Sequence, residues 1–219
     1  MSNAVLENIG VVLQKMEGEA LKRNAPVFRA ELATKSTPFK ILVFTMLSAR
    51  TKDETTLKVV ERLFQYVRTP EQLAKLKTSK LETLLYGVGF YRVKAKNLIE
   101  TSKTIAKLGK VPDTLESLLQ LPGVGRKTAN IVLARAFGKN TLGVDVHVHR
   151  ISNRLGLVKT KKPEETEMAL IKIVPKQYLG KLNKSFVAFG QTICLPKTPR
   201  CTECPANSIC PKKGVKTIS

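Results

Sequence analysis

Helix-start signals recur along this 219-residue chain, and they constrain its fold more than any other feature. Thr37 precedes a proline and a long apolar run, and Thr51 is followed three residues later by Glu54, which is the spacing of a capping box. Asp113 begins another such box. The alternating stretch at 143–149 has no partner strand in the sequence. We therefore predict an all-α fold of roughly ten short helices.

The charge of the chain indicates its partner. Lys and Arg number 38 against 17 Asp and Glu, which gives a formal net charge of +21. A surplus of this size attracts polyanions and favours nucleic acid as the ligand. The alternative is a lysine-rich surface that serves solubility or heat tolerance. A membrane surface is disfavoured because the basic residues are spread along the chain and not gathered on one amphipathic helix.

Neither a transmembrane helix nor a signal peptide is expected. The sequence has no apolar run of about eighteen residues, which a spanning helix requires. Its first ten residues do not pair a basic region with an apolar one. We expect a soluble intracellular protein.

The four cysteines are clustered near the end of the chain, at Cys194, Cys201, Cys204 and Cys210. In a chain without a secretion signal, such a cluster indicates a metal or iron–sulfur site rather than disulfides. Zinc sites usually show two close cysteine pairs, and bacterial ferredoxins use a different spacing. The C-x6-C-x2-C-x5-C spacing alone leaves zinc and [4Fe–4S] both open. The basic loop between the first two cysteines carries Lys197, which we expect to reach a phosphate.

Two segments, 85–99 and 121–138, each join a Gly-Val-Gly turn to a helical run. Closely spaced glycines allow positive φ and a close approach to a ligand, and the amides of the following helix attract anions. An ordinary helix–helix turn also uses glycine. Because two such turns occur in a strongly basic chain, we interpret them as contacts to a phosphate backbone. In the second segment the predicted contacts are Gly123, Gly125, Arg126 and Thr128.

Lys127 stands at the start of the helix in the second segment, where the helix dipole does not favour a cation. Together with Arg126 and Lys139, the dipole would disfavour the charged amine, and partial burial would add to this effect. A neutral lysine amine can form a Schiff base with a sugar carbon. The alternative is a surface lysine without a special role.

Asp145 follows Lys127 by eighteen residues. It can cap the next helix, and a carboxylate that faces the lysine would also stabilise an oxocarbenium-like transition state. His147 and His149 are the two histidines of the chain. Their spacing is a weak metal signal, so we favour packing or phosphate contact, with His147 as a candidate DNA contact.

Taken together, "LPGVGRKTAN", "GVDVHVHR" and the cysteine spacing resemble the endonuclease III branch of the helix-hairpin-helix DNA glycosylases. The resemblance covers nearly the whole chain. It implies the two-domain, all-α helix-hairpin-helix DNA glycosylase fold with an iron–sulfur cluster loop. Residues 32–138 would form a six-helix domain with the hairpin. Residues 1–31 and 139–219 would form a cluster domain, with the four-cysteine iron–sulfur loop at 194–210.

The resemblance also implies a base-excision-repair enzyme, a DNA glycosylase and AP lyase that flips oxidised pyrimidines out of duplex DNA. Lys127 would attack the sugar C1′ and displace the base, and the Schiff base would cut the strand by β-elimination. Asp145 would activate the lysine and stabilise the sugar cation. The four cysteines would hold a [4Fe–4S] cluster. Sister branches that act on mispaired bases usually lack this lysine.

Two further residues are expected to contact DNA. Arg50 stands where the bacterial family members carry glutamine, and it would fill the gap left by the flipped base. Which opposite base it prefers stays open. Phe90 would be a wedge between bases of the other strand, and simple core packing is the alternative.

Three other functions remain as alternatives. The first is a glycosylase of the same superfamily that acts on T/G or U/G mismatches. The second is a non-catalytic DNA-binding module with a structural metal site, which would not need Lys127 and Asp145. The third, an electron-transfer protein, is disfavoured by the hairpins and the charge.

We expect a monomer in a prokaryotic cytoplasm, associated with the nucleoid, that binds double-stranded DNA with damaged bases or abasic sites.

Overall fold

The computed structural model describes residues 4–33 and 37–215, and this part of the chain is all-α, as predicted. It forms thirteen α-helices and one short 3₁₀ turn, Cys201–Glu203, and contains no strand. In chain order the helices are α1 (Ala4–Glu7), α2 (Ile9–Lys22), α3 (Pro26–Ala33), α4 (Pro38–Ser48), α5 (Asp53–Tyr66), α6 (Pro70–Ala74), α7 (Thr78–Leu85), α8 (Tyr91–Leu108), α9 (Leu115–Leu119), α10 (Arg126–Phe137), α11 (Val146–Arg154), α12 (Pro163–Ile173) and α13 (Lys176–Thr192). None of the described helices combines the length and apolar character needed to cross a bilayer.

The chain folds into two compact units. One is Arg29–Lys139, and the other joins Met1–Phe28 to Asn140–Ser219. These limits lie close to the predicted boundaries at 32 and 138.

The helix starts follow the sequence only in part. Thr37 caps α4 and accepts a 3.3 Å bond from the N–H three residues on, as predicted. The predicted box at Thr51 is wrong, because α5 begins at Asp53 and the Thr51 hydroxyl has other partners. The cap predicted at Asp113 is also wrong by one residue, since Thr114 caps α9 instead.

The unit Arg29–Lys139 is built around α4. This helix is apolar on nearly every side, and both Leu42 and Leu47 are fully buried. Helices α5, α8 and α10 pack around it and contribute Leu63, Leu98 and Val132 to the same core. Burying α4 therefore fixes the ends of the helices from which the site residues of this unit project.

In the second unit, α2 and α11 pack against α13. Met16 and Phe186 are fully buried between these helices. Three of the cysteines pack partly buried against the same core.

Candidate DNA-binding surface, catalytic residues and cysteine centre

The hairpin turn between α9 and α10 uses its two glycines differently. Gly123 has a φ of +79°, and a Cβ there would lie 2.6 Å from Nδ2 of Asn97, so the fold itself requires glycine. Gly125 has an ordinary φ of −90°, and a Cβ there would meet no atom within 4 Å. Packing therefore does not explain the glycine at 125, whereas a ligand that approaches the backbone closely would.

The first turn of α10 is open to an anion. Its N-cap, Gly125, has no side chain to accept the terminal N–H bonds, and Arg126 and Lys127 are exposed. The N–H groups of a first turn have no acceptor within their own helix, and together with the positive end of the dipole they suit a phosphate. Thr128 is buried, only 9% exposed, which disfavours a DNA contact by its side chain, and the predicted contact at this residue stays a prediction.

Lys127 differs from two of the sequence-based expectations. Its side chain is exposed and not partly buried. Lys139 lies beyond the other end of α10, about 18 Å along the helix, and pairs with Asp113 at 3.5 Å. The helix N-terminus and the neighbouring Arg126 remain as the electrostatic surroundings of the lysine.

The first Gly-Val-Gly turn, at 87–89, packs against the protein. The N–H of Gly89 donates a 3.0 Å bond to Oγ1 of Thr51, and a Cβ on Gly89 would lie 2.8 Å from the carbonyl oxygen of Arg50. The phosphate contact expected at this turn therefore cannot use the N–H of Gly89.

Arg50 and Phe90 lie side by side, although forty residues separate them in sequence. The guanidinium of Arg50 is 5.6 Å from the centroid of the Phe90 ring. Phe90 is 62% exposed, which rules out core packing as its role. Both residues have positive φ, 55° and 58°, which is uncommon outside glycine and found at functional sites.

Lys94 lies beneath this pair and was missed by sequence reasoning. Its Nζ donates to the carbonyl oxygens of Leu47 and Ala49 at 2.7 and 2.6 Å, and to Oγ1 of Thr51 at 3.4 Å. Burial lowers the pKa of Lys94 to about 8. A lysine inside a long helix carries no local signal of such contacts.

Asp145 caps α11, as predicted. Its Oδ1 accepts bonds from the N–H groups of His147 and Val148, both at 2.9 Å. The cap uses Oδ1 for both bonds, which leaves Oδ2 for other chemistry. Lys127 belongs to one compact unit and Asp145 to the other.

Both histidines are half-buried and packed. His147 lies against Gly190, where a Cβ would be 2.5 Å from Nδ1, and its Nδ1 is 3.2 Å from Nη2 of Arg150. Nδ1 of His149 is 2.6 Å from Oγ1 of Thr166. These contacts agree with the packing role, and a phosphate contact by His147 stays a prediction.

All four cysteines are free thiols that line one cavity. Apolar side chains, including those of Met16 and Phe189, complete its wall. Burial raises the pKa of Cys204 to about 11 and also raises the pKa of Cys210. A bound cationic centre would offset this cost, because metal-coordinating thiols are deprotonated.

Hydrogen bonds to sulfur fit the cysteine centre to a thiolate-ligated group. Nη1 of Arg154 donates to Sγ of Cys194 at 3.4 Å, and the N–H of Lys212 donates to Sγ of Cys210 at 3.4 Å. Within residues 4–33 and 37–215, no three His, Cys, Asp or Glu side chains have the spacing of a single-ion site.

The basic loop between Cys194 and Cys201 is hydrogen-bonded to Arg154. Arg154, only 7% exposed, donates to the carbonyl oxygens of Leu195 and Pro196, both at 2.7 Å. The next residue, Lys197, is exposed. A loop bonded to Arg154 that presents an exposed lysine suits the predicted phosphate contact.

Comparison with known proteins agrees with this geometry. Residues 43–176 match the model of the HhH-GPD superfamily base excision DNA repair proteins. Endonuclease III of Thermotoga maritima is 53% identical over 175 residues, which cover 79% of this chain and 82% of that protein. Endonuclease III of Escherichia coli is 34% identical over 195 residues, which cover 88% of this chain and 92% of that one.

Solved structures show the same fold. A trapped covalent intermediate of endonuclease III with DNA superposes with a TM-score of 0.81 at 33% identity, covering 94% of this chain and 96% of that one. A thermostable thymine-DNA glycosylase, at 22% identity, reaches a TM-score of 0.73 over 94% of this chain and 98% of its own, which shows the fold alone.

The fold and the open hairpin define a helix-hairpin-helix DNA glycosylase. The chain belongs to the HhH-GPD superfamily of base excision DNA repair proteins and, within it, to the endonuclease III family. It is a DNA glycosylase with AP lyase activity. Lys127 and Asp145 fall inside the matched segment, and the four cysteines follow it.

Proposed function

We propose that this enzyme removes oxidised pyrimidines from duplex DNA, with Lys127 as the nucleophile and Asp145 as its catalytic partner. The observation that carries the proposal is the exposed amine of Lys127, two residues after a glycine that packing does not require. A phosphate bound at the open first turn of α10 would bring the neighbouring deoxyribose to that amine.

The chemistry divides between the two side chains. Nζ of Lys127 attacks C1′, and the bond from C1′ to the base breaks, so the base leaves with the electron pair and takes up a proton. The amine nitrogen then loses its protons and forms a double bond to C1′ while the C1′–O4′ bond breaks and O4′ takes up a proton, which gives a Schiff base with the opened sugar. Loss of a C2′ proton then expels the 3′ phosphate by β-elimination, and water releases the lysine. The Oδ2 of Asp145, not used by the helix cap, would accept the amine proton and stabilise the sugar cation.

Recognition of the lesion requires the base to leave the stack. We propose that Arg50 fills the gap and that Phe90 wedges into the other strand. Their exposure, and the 5.6 Å contact between them, support an assembled pair that enters the duplex together. Exposed aromatic faces stack on bases, and a planar guanidinium can also stack and donate hydrogen bonds.

We also propose that Cys194, Cys201, Cys204 and Cys210 hold a [4Fe–4S] cluster. The endonuclease III family carries such a cluster, and the free thiols, the apolar wall and the hydrogen bonds to sulfur support it here. Bound there, the cluster would supply folding energy and fix the basic loop with Lys197 against the DNA backbone.

Borohydride trapping tests the proposal. The substrate is a duplex with a single thymine glycol, and Lys127→Gln is compared with wild type. Lys107→Gln, at an exposed lysine near the far end of α8, is the matched control. We expect a covalent adduct with wild type and the control only.

Base release without an adduct in wild type would indicate a glycosylase that uses water. Inactivity on thymine glycol with activity on T/G or U/G mismatches would favour the mismatch branch. Neither outcome is compatible with Lys127 as a Schiff-base nucleophile for oxidised pyrimidines.

A further inference from the structure

Lys94 connects the two segments that carry Arg50 and Phe90. It lies in the first turn of α8, half-buried, and Nζ reaches the carbonyl oxygens of Leu47 and Ala49. Those oxygens belong to the last turn of α4 and its C-cap, where helix carbonyls have no partner within the helix. The lysine thus ties α8 to the turn from which Arg50 projects.

Thr51 completes the connection from the other side. Its Oγ1 receives a bond from Nζ of Lys94 at 3.4 Å and one from the N–H of Gly89 at 3.0 Å. Gly89 directly precedes Phe90, and its backbone lies close enough to Arg50 to exclude a Cβ. The hydroxyl of Thr51 and the ammonium of Lys94 therefore connect the segment that carries Arg50 to the one that carries Phe90.

The backbone of both segments needs such support. Arg50 and Phe90 have left-handed φ values, a conformation that costs energy in residues with a Cβ and persists when the surroundings impose it. Phe90 also occupies the N-cap of α8 without a side-chain cap bond. Without the bonds from Lys94 and Thr51, ordinary φ values would become accessible and the two side chains would separate.

The same face of α8 also braces the hairpin. Asn97, three residues after Lys94, packs on Gly123. Thr101, seven residues after Lys94, donates from Oγ1 to the carbonyl oxygen of Pro122 at 3.0 Å. Residues at this spacing share one face of a helix. A single helix therefore fixes the Arg50–Phe90 pair in register with the turn that is proposed to bind phosphate.

We infer that Lys94 is a positioning residue, which holds Arg50 and Phe90 in the arrangement that enters the duplex at a lesion. The inference rests on the proposed function of these two residues. Lys94 acts without touching DNA, because its ammonium is directed at oxygens of the protein. A lysine that only stabilised the end of α4 would affect folding, and would not affect lesion recognition through Arg50 and Phe90.

The test is a double-mutant cycle read out by DNA binding. The variants are Lys94→Met, the Arg50→Ala/Phe90→Ala double variant, and all three changes together. Each is titrated with an undamaged duplex and with a duplex containing one abasic-site analogue opposite 2-aminopurine, whose fluorescence reports unstacking. Lys107→Met on the same helix is the matched control, and thermal melting confirms that each variant is folded.

We expect Lys94→Met to weaken binding to the abasic duplex on the order of tenfold and to reduce the fluorescence change. Binding to undamaged DNA should stay within about twofold, since the phosphate contacts remain. In the Arg50→Ala/Phe90→Ala background, adding Lys94→Met should not weaken binding to the abasic duplex further. Should Lys94→Met fail to fold, Thr51→Val removes the shared hydroxyl and should produce the same selective loss.

Two results would overturn the inference, and they can be told apart. In the first, the Arg50→Ala/Phe90→Ala protein loses abasic-site binding, but folded Lys94→Met or Thr51→Val retains it, or Lys94→Met weakens binding by the same factor in both backgrounds. Lys94 then does not act through the pair. If the Arg50→Ala/Phe90→Ala protein binds as tightly as wild type, the proposed role of the pair fails first, and the inference fails with it.

Discussion

Arg154 Nη1 lies 3.4 Å from Sγ of Cys194, and the same guanidinium holds the carbonyl oxygens of the two residues that follow this cysteine. Arg154 ends α11, the helix that Asp145 begins. One helix of nine residues therefore carries the proposed catalytic carboxylate at its start and Arg154, which bonds to the cysteine loop, at its end. The same helix thus connects Asp145, the proposed catalytic partner, to the loop that carries Cys194.

Replacing Arg154 by methionine should release the cysteine loop. The change leaves two carbonyl oxygens without their buried donor, which we expect to lower the free energy of unfolding by about 3 kcal/mol. Iron per protein, measured after anaerobic purification, should fall together with the melting temperature. Arg68→Met, at an exposed arginine, is the control and should keep both. Full iron content in Arg154→Met would show that the brace is dispensable.

Asp145 allows its two roles to be separated. Asparagine caps helices as well as aspartate does, so Asp145→Asn should change the free energy of unfolding by less than about 0.5 kcal/mol. Asp145→Ala should cost about 1 kcal/mol, because the N–H groups of His147 and Val148 lose their acceptor. Both variants should slow single-turnover base release by about 100-fold or more, since both lack the carboxylate.

Urea unfolding measures the free energy of unfolding of the Asp145 variants, and a quench assay with excess enzyme measures their rate of base release. An asparagine variant that retained wild-type rates would limit Asp145 to capping.

The two hairpin glycines should respond to alanine in opposite ways. Gly123→Ala forces a Cβ against Asn97 at positive φ, so it should destabilise the fold by more than about 1 kcal/mol. Gly125→Ala meets open space at an ordinary φ, so it should lower the free energy of unfolding only by the weaker N-cap preference of alanine, less than about 1 kcal/mol. Its Cβ would nevertheless block a phosphate, and binding to duplex DNA should weaken.

Thermal melting measures the stability of Gly123→Ala and Gly125→Ala, and fluorescence-anisotropy titration at one fixed salt concentration measures their affinity for duplex DNA. Gly125→Ala with wild-type affinity would remove the argument for a phosphate at this turn.

Stability should depend on pH through Lys94. Burial lowers its pKa to about 8 from the usual 10.5, so between these values the unfolded chain binds more protons than the folded one. The free energy of unfolding of wild type, relative to Lys94→Met, should therefore rise as the pH increases from about 8 towards 10.5. Below pH 8 the cost of the buried charge is fully present. Urea unfolding at both ends of this window, with Lys107→Met as the control, measures the difference, and a flat or falling difference would contradict the assignment.

Much of the site was accessible from the sequence because its signals are local. A glycine turn before Lys127, the cap at Asp145 and the cysteine spacing each extend over a few residues, and the family resemblance combined them. The helix cap predicted at Thr51 and the expected proximity of Lys139 to Lys127 were wrong. In both cases proximity along the chain was taken for proximity in space.

The sequence by itself determined the all-α class, the helix runs, the hairpin and the residues of the proposed chemistry, because caps and hydrophobic periodicity act within one or two helical turns. Only the tertiary structure decided what Thr51, Lys94 and Arg154 do. Their partners lie about forty residues away in the chain, at Gly89, Leu47 and Cys194. A buried donor must find an acceptor, and which acceptor comes within reach depends on how the helices pack, not on the residues beside it.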